Sequence, residues 1–141
     1  MSHDLVGHNL SPLRVAITEH SVRSYCRAVG QAWDGIVPWL YLAHAGGDQV
    51  SSPDRIDRLS GRATLYPLPG SFKRTLVGAM EWQFGVRPRV GDMLTIEARY
   101  TSVKEKRGER SGTMIISTLE LNFTNDQNER VALQRLIRIH R

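Results

Sequence analysis

Apolar positions along this chain change their spacing once, from a helical period near the N-terminus to an alternation of period two in the second half. The run Leu13-Arg-Val-Ala-Ile17, set off by Ser11-Pro12, predicts a short first strand. Thr18 is placed to cap a helix and Glu19 sits in its first turn, where a carboxylate favours the dipole. Val22, Tyr25, Cys26 and Val29 then recur at i, i+3, i+4 and i+7, which predicts one buried stripe with Gly30 as the stop. A loop follows at 31–35. Pro38 suits the first turn of a second helix over 37–45, with Val37, Leu40, Ala43 and His44 on one face and Gly46-Gly47 as its end. Residues 48–70 are rich in Ser, Pro, Gly, Asp and Arg without a period, so an excursion over the surface is expected; loops of that length are often functional.

From residue 72 onward the alternation predicts strands at 72–84, 93–104, 113–123 and 130–140. Leu94, Ile96, Ala98 and Tyr100 share one face of the second of these, and Ile115, Leu119, Leu121 and Phe123 share one face of the third. The charged residues 104–110 and the polar residues 125–128 read as hairpin connections. Four consecutive antiparallel strands after the helices predict an α+β fold with the helices on one face. No internal repeat or second domain is evident, so residues 1–141 read as one domain.

Composition narrows the setting. A chain of 141 residues can bury roughly two thirds of its unfolded surface in one core without disulfides. Cys26 is the lone cysteine, which excludes an intrachain disulfide and a cysteine-based zinc site and fits a reduced, cytoplasmic protein; on its helical stripe it reads as a small core residue. His3, His8, His20 and His140 are too dispersed to suggest a metal site, and no cofactor is expected. The N-terminus lacks a basic and apolar leader, and no window approaches the roughly 18 apolar residues of a membrane helix, so neither export nor insertion is expected. The net charge of +5 comes from sixteen arginines and three lysines against fourteen carboxylates. Arginine holds phosphates and carboxylates in a planar fork, so nucleic acid, coenzyme A or the acidic surface of an acyl carrier protein each fits as a partner. The absence of a tight basic run with interleaved aromatics argues against nucleic acid.

Two stretches carry a resemblance. Tyr25-Cys-Arg-Ala-Val-Gly30, and Glu81-Trp-Gln-Phe84 with Arg87-Pro-Arg-Val-Gly-Asp92, resemble segments of MaoC-like (R)-specific enoyl-thioester hydratases and dehydratases. The second pair resembles in particular the domain that forms the N-terminal half of the two-hot-dog hydratases, and the resemblance covers about residues 5–140. It implies a hot-dog fold, an antiparallel sheet wrapped around a central helix. It also implies syn addition of water to a trans-2-enoyl thioester, or the reverse, with an aspartate and a histidine activating one water and a backbone amide at a helix start polarising the thioester carbonyl. The family motif Gly-Asp-x-Asn-Pro-x-His, laid on this chain from Gly30, puts its aspartate on Gln31, its asparagine on Trp33, its proline on Asp34 and its histidine on Ile36. Glutamine takes no proton from water near neutral pH and isoleucine has no titratable group. The resemblance therefore implies a domain without its own dyad, one that accommodates the acyl chain of a coenzyme A or carrier-protein thioester while a partner supplies the chemistry. Hot-dog domains pair through their sheets, so a homodimer or a heterodimer with a catalytic MaoC-like subunit is expected.

Individual residues carry alternatives. Trp33 and Trp39 suit the walls of an acyl or ring-bearing pocket, or an interface between subunits. Tyr25 joins them as a substrate-binding candidate on the motif helix, and Arg87 and Arg89 are placed to hold a coenzyme A phosphate or a carrier phosphoserine. Asp34 is a candidate displaced base, or simple Asp-Gly turn chemistry; His44 is a second catalytic candidate, or a core histidine on an apolar helix face. With these two residues the chain reads alternatively as a self-sufficient homodimeric dehydratase, thioesterase or cyclase with rewired chemistry. A non-enzymatic module binding acyl groups or nucleic acid is the third reading.

Overall fold

A computed structural model describes Val6 and residues 12–43, 75–108 and 112–141. Its elements in chain order are β1 (Leu13–Ala16), α1 (Glu19–Ala28), β2 (Thr75–Phe84), β3 (Met93–Gly108), β4 (Gly112–Thr124) and β5 (Arg130–His140). The Thr18 side-chain oxygen accepts from the Ser21 amide at 3.1 Å and so caps α1. At the other end Gly30, at φ +73°, lets its own amide reach Arg27 O at 3.2 Å and the Gln31 amide reach Cys26 O at 2.8 Å. These two bonds satisfy the last carbonyls of the helix. Val22 and Cys26 are buried and Tyr25 is half-buried against the core. Val29 departs from the predicted stripe: it is the C-cap, already turning out of the helix, and is 54% exposed.

Pro38 opens a second helical turn, with Tyr41, Leu42 and Ala43 each donating to the carbonyl three residues earlier at 3.0–3.1 Å. His44 and the rest of the predicted helix lie outside the described residues, as do the excursion at 48–70 and residues 72–74. The inward positions here are Val37, Tyr41 and Leu42, whereas Leu40 is 57% exposed, which corrects the predicted face. Tyr41 competes well for the interior because its hydroxyl meets Ser21 Oγ at 2.8 Å while its ring packs edge-on against Tyr25 at 5.8 Å.

The five strands form one antiparallel sheet in the order β1-β3-β4-β5-β2. The four consecutive antiparallel strands expected in the second half are β2 to β5; β3, β4 and β5 form a meander of sequence neighbours, β2 crosses to pair with β5, and β1 flanks β3. Strand β3 also continues through Lys104, Glu105, Lys106 and Arg107, residues predicted as connection. Their side chains are exposed, so charge costs little there, and a ladder bonds through the backbone whatever the side chain. The inner face follows the alternation: Leu94, Ile96, Ala98 and Tyr100 of β3 and Ile115, Leu119, Leu121 and Phe123 of β4 are buried with Ile17, Val22, Cys26, Val37, Tyr41 and Leu42.

The outer face carries a row of alternating charges across four strands, Arg99, Glu120, Arg135 and Glu81, each directly opposite the next in the ladder. The ion-pair distances along the row are 3.4, 3.6 and 3.2 Å. Exposed cross-strand pairs contribute about 0.2–1 kcal/mol each, and Glu120 serves two of them. Glu120→Lys, which lines up three cations, is expected to cost about 1–2 kcal/mol in a denaturant titration at low salt, with part recovered at high salt. A variant as stable as the wild type would show the row to be decorative.

Candidate active-site cleft

The loop after α1 is tightly self-bonded. Asp34 Oδ1 accepts from the Ile36 amide at 3.0 Å, across Gly35 at φ +91°, and the Trp33 indole donates to the Ile36 carbonyl at 3.2 Å. Both backbone polar groups of Ile36 are thus satisfied within the loop, and Asp34 does the work of an Asx turn. The Ile36 side chain is 51% exposed. It lines a cleft of about 430 Å³ with Gly35, Val37, Arg87, Pro88, Arg89 and Val90, a size within the small-ligand range. Gln31, by contrast, lines a separate depression of about 230 Å³ with Arg23, Cys26, Arg27 and Trp33.

The far wall of the larger cleft is the 86–90 link between β2 and β3. Its Gly-Asp turn is fixed by Asp92 Oδ2 accepting from the Arg89 amide at 2.9 Å, and it is pinned to the end of β1 by Ile17 N to Asp92 O at 2.9 Å and Gly91 N to Ile17 O at 2.8 Å. Arg87 reaches back across the cleft, donating to the Val37 carbonyl at 3.0 Å with its guanidinium 4.6 Å from the centre of the Trp39 ring. Trp39 stacks on Phe84 at 4.5 Å, Phe84 on Trp82 at 5.6 Å, and Trp82 leans on Phe123 at 5.9 Å. A continuous stack therefore runs from the rim to the core.

The candidates named from sequence are placed unequally. Arg87 and Arg89 meet Ile36 in one cleft, Trp39 lies behind Arg87, and Trp33 lines the Gln31 depression under the Arg23 guanidinium at 4.6 Å. Tyr25 is half-buried, its ring edge-on to Tyr41, and His44 lies outside the described residues. Among the described residues no cluster of three or more His, Cys, Asp or Glu is placed to hold a metal, and no helix is long and apolar enough to cross a membrane.

One polar group of residues escaped the sequence reading. Ser117 Oγ and His140 Nε2 share a hydrogen bond at 2.9 Å, and Arg138 donates to the Tyr100 hydroxyl at 2.8 Å, all of them buried on the inner sheet face. The signal was available: Ser117 interrupts the apolar face of β4, and Arg138 and His140 fall on one face of β5. Burial, aided by the Arg138 cation, lowers the His140 pKa from 6.5 to about 4. The ring is neutral at neutral pH.

The family model described as FAS1-like, dehydratase domain region matches residues 4–134. No curated protein sequence matches the chain. Among solved structures, the chain is similar to the (R)-hydratase from A. caviae involved in PHA biosynthesis, at 16% identity and a TM-score of 0.66 over 94% of each chain. It is also similar to the C-terminally truncated HadBC (3R-hydroxyacyl-ACP dehydratase) complex from Mycobacterium tuberculosis, at 20% identity and a TM-score of 0.60 over 96% of this chain and 97% of that one. A third is smu.793 from Streptococcus mutans UA159 bound to acetyl CoA, at 14% identity and a TM-score of 0.56 over 97% of this chain and 84% of that one. At these identities the likeness carries the fold, and the fold is the hot-dog.

Proposed function

The chain belongs to the family of FAS1-like dehydratase domain regions, and from that premise we propose that it is the acyl-thioester-binding subunit of an (R)-specific hydratase or dehydratase whose acid-base dyad comes from a partner. The observation that carries this reading is the pair Gln31 and Ile36, where the family resemblance expects aspartate and histidine. Neither side chain can activate water, and they open into different depressions rather than converging on one reacting atom. The cleft beside Ile36 is walled by Val37, Pro88 and Val90 and rimmed by two arginines, which suits an apolar arm ending in an anion. Asp34 is a poor substitute base because its carboxylate holds the Ile36 amide.

Two further observations support a paired assembly. Strand β2 lies at one end of the sheet, and its inward face leaves Met80 48% and Phe84 44% exposed beside Trp82. A catalytic hot-dog subunit meeting that edge would cover both side chains. The fold relatives supply precedents for the components: the M. tuberculosis protein is a HadBC complex, and the S. mutans protein is bound to acetyl CoA.

Co-expression with a dyad-bearing MaoC-like chain is expected to give hydration of a trans-2-enoyl thioester at a rate orders of magnitude above either chain alone. The measurement is loss of enoyl absorbance with the separated and the combined chains. Full activity of this chain by itself would overturn the reading.

A further inference from the structure

The sequence gives Arg87 and Arg89 one shared role, and the structure separates them. The 86–90 link is a wall between two clefts: the 430 Å³ cleft beside Ile36, and a polar cleft of about 320 Å³ lined also by Val86, Asp92, Asn125, Gln127 and Glu129. Both arginines line both clefts. Arg87 is already committed, to the Val37 carbonyl at 3.0 Å and to the face of Trp39 at 4.6 Å. Swinging it onto a ligand would release the second-helix start and uncover the aromatic stack. Arg89 is exposed and stands on a backbone anchored by Asp92, whose own amide returns to Arg89 O at 3.1 Å. An anchored base lowers the ordering cost of a contact made by the side chain above it.

We infer that Arg89 is the contact for the phosphate at the end of a pantetheine arm, while Arg87 is a positioning residue that shapes the cleft through Val37 and Trp39; this rests on the acyl-thioester reading above. The carboxylates of the polar cleft fix where the anion sits. Asp92 and Glu129 repel a phosphate from that interior and leave the arginine rim as its seat, where a planar guanidinium can hold two oxygens at once. A coenzyme A thioester and a carrier-protein thioester present the same phosphate at that point of the arm.

The test uses one acyl group as its thioester with pantetheine, with 4′-phosphopantetheine and with coenzyme A, titrated into the wild type, Arg89→Met and Arg87→Met by calorimetry and tryptophan fluorescence. The wild type is expected to prefer both phosphorylated forms by about 10- to 100-fold, the worth of one charge-assisted contact. Arg89→Met, with Arg89→Gln as a second substitution should the first not fold, brings the phosphorylated forms down to the affinity of the pantetheine thioester. Arg87→Met weakens all three by a common factor and, through the lost contact with Trp39, shifts the tryptophan emission before ligand is added. A phosphate preference that survives both Arg89 substitutions, or that disappears in Arg87→Met, overturns the division of labour. Wild-type binding without any phosphate preference overturns the inference alone, whereas binding of none of the three thioesters removes the acyl-thioester reading with it. Coenzyme A binding more tightly than phosphopantetheine identifies the free cofactor as the carrier; equal affinity indicates that the shared arm suffices.

Discussion

Lowering the pH from 7 to 4 is expected to remove about 3 kcal/mol of folding stability through one residue, His140. The ring is 1% exposed and shares a hydrogen bond with Ser117. Its pKa stands at about 4 in the folded protein against 6.5 for the free side chain, first because burial penalises the imidazolium and second because the Arg138 cation repels it. A histidine with a depressed pKa favours folding while it is neutral in both states. The stabilisation is therefore complete above pH 6.5 and declines as the pH falls to 4, since the unfolded chain takes up the proton first. Denaturant titrations across that range measure it, with His140→Gln as the comparison, because glutamine keeps a polar partner for Ser117 and does not titrate. Carboxylates such as Glu120 contribute equally to both proteins and cancel in the difference. If the substituted protein loses as much stability as the wild type over the same pH range, His140 is not the cause.

Gly85→Ala is expected to cost about 3 kcal/mol and to disturb the cleft as well. A Cβ at this position would press directly on the Arg130 carbonyl oxygen, a backbone atom with no flexible side chain to move aside. Relief requires the link to lift away from β5, at the expense of Gly85 N to Val131 O at 2.9 Å and Val86 N to Arg130 O at 3.0 Å. Arg87 lies two residues on, so its reach to Val37 changes with the same movement. Gly78→Ala is the control within β2, where a new methyl would make ordinary van der Waals contact, with the Ile139 side chain at 3.4 Å and the Ile137 carbonyl oxygen at 3.6 Å. Thermal melts and ligand titrations on both variants decide the matter; equal behaviour of the two would refute the steric argument.

Local signals made the front of the domain readable. Thr18, Gly30 and the Val22/Cys26 spacing define α1 because caps and helical periods are written in adjacent residues. The inner faces of β3 and β4 were readable for the same reason. Pairing between distant segments was not readable: nothing in Thr75–Phe84 says that its partner is β5 rather than the next strand. Lys104 to Arg107 looked like a connection because charge correlates with loops, although an exposed strand end tolerates it. Helical spacing with Val37 places Leu40 on the inward face, whereas the interior is taken by Tyr41, whose hydroxyl finds a partner on α1. The loop residues Gln31 and Ile36 could be read as missing a dyad, but which depression each one faces depends on the folded turn around Asp34.

The outer-face row of charges has a consequence for how the sheet finds its alignment. The apolar inner face rejects a slip of one residue, because that would turn every core side chain outward. It tolerates a slip of two, which keeps each residue on its own side. The row does not: moving β5 by two residues along β4 would bring Leu133 or Ile137 opposite Glu120 in place of Arg135, and would shift the contact with Glu81 at the same time. Hydrophobic alternation and the four charges thus act as coarse and fine scales of one vernier, and between them they specify a single alignment of the strands.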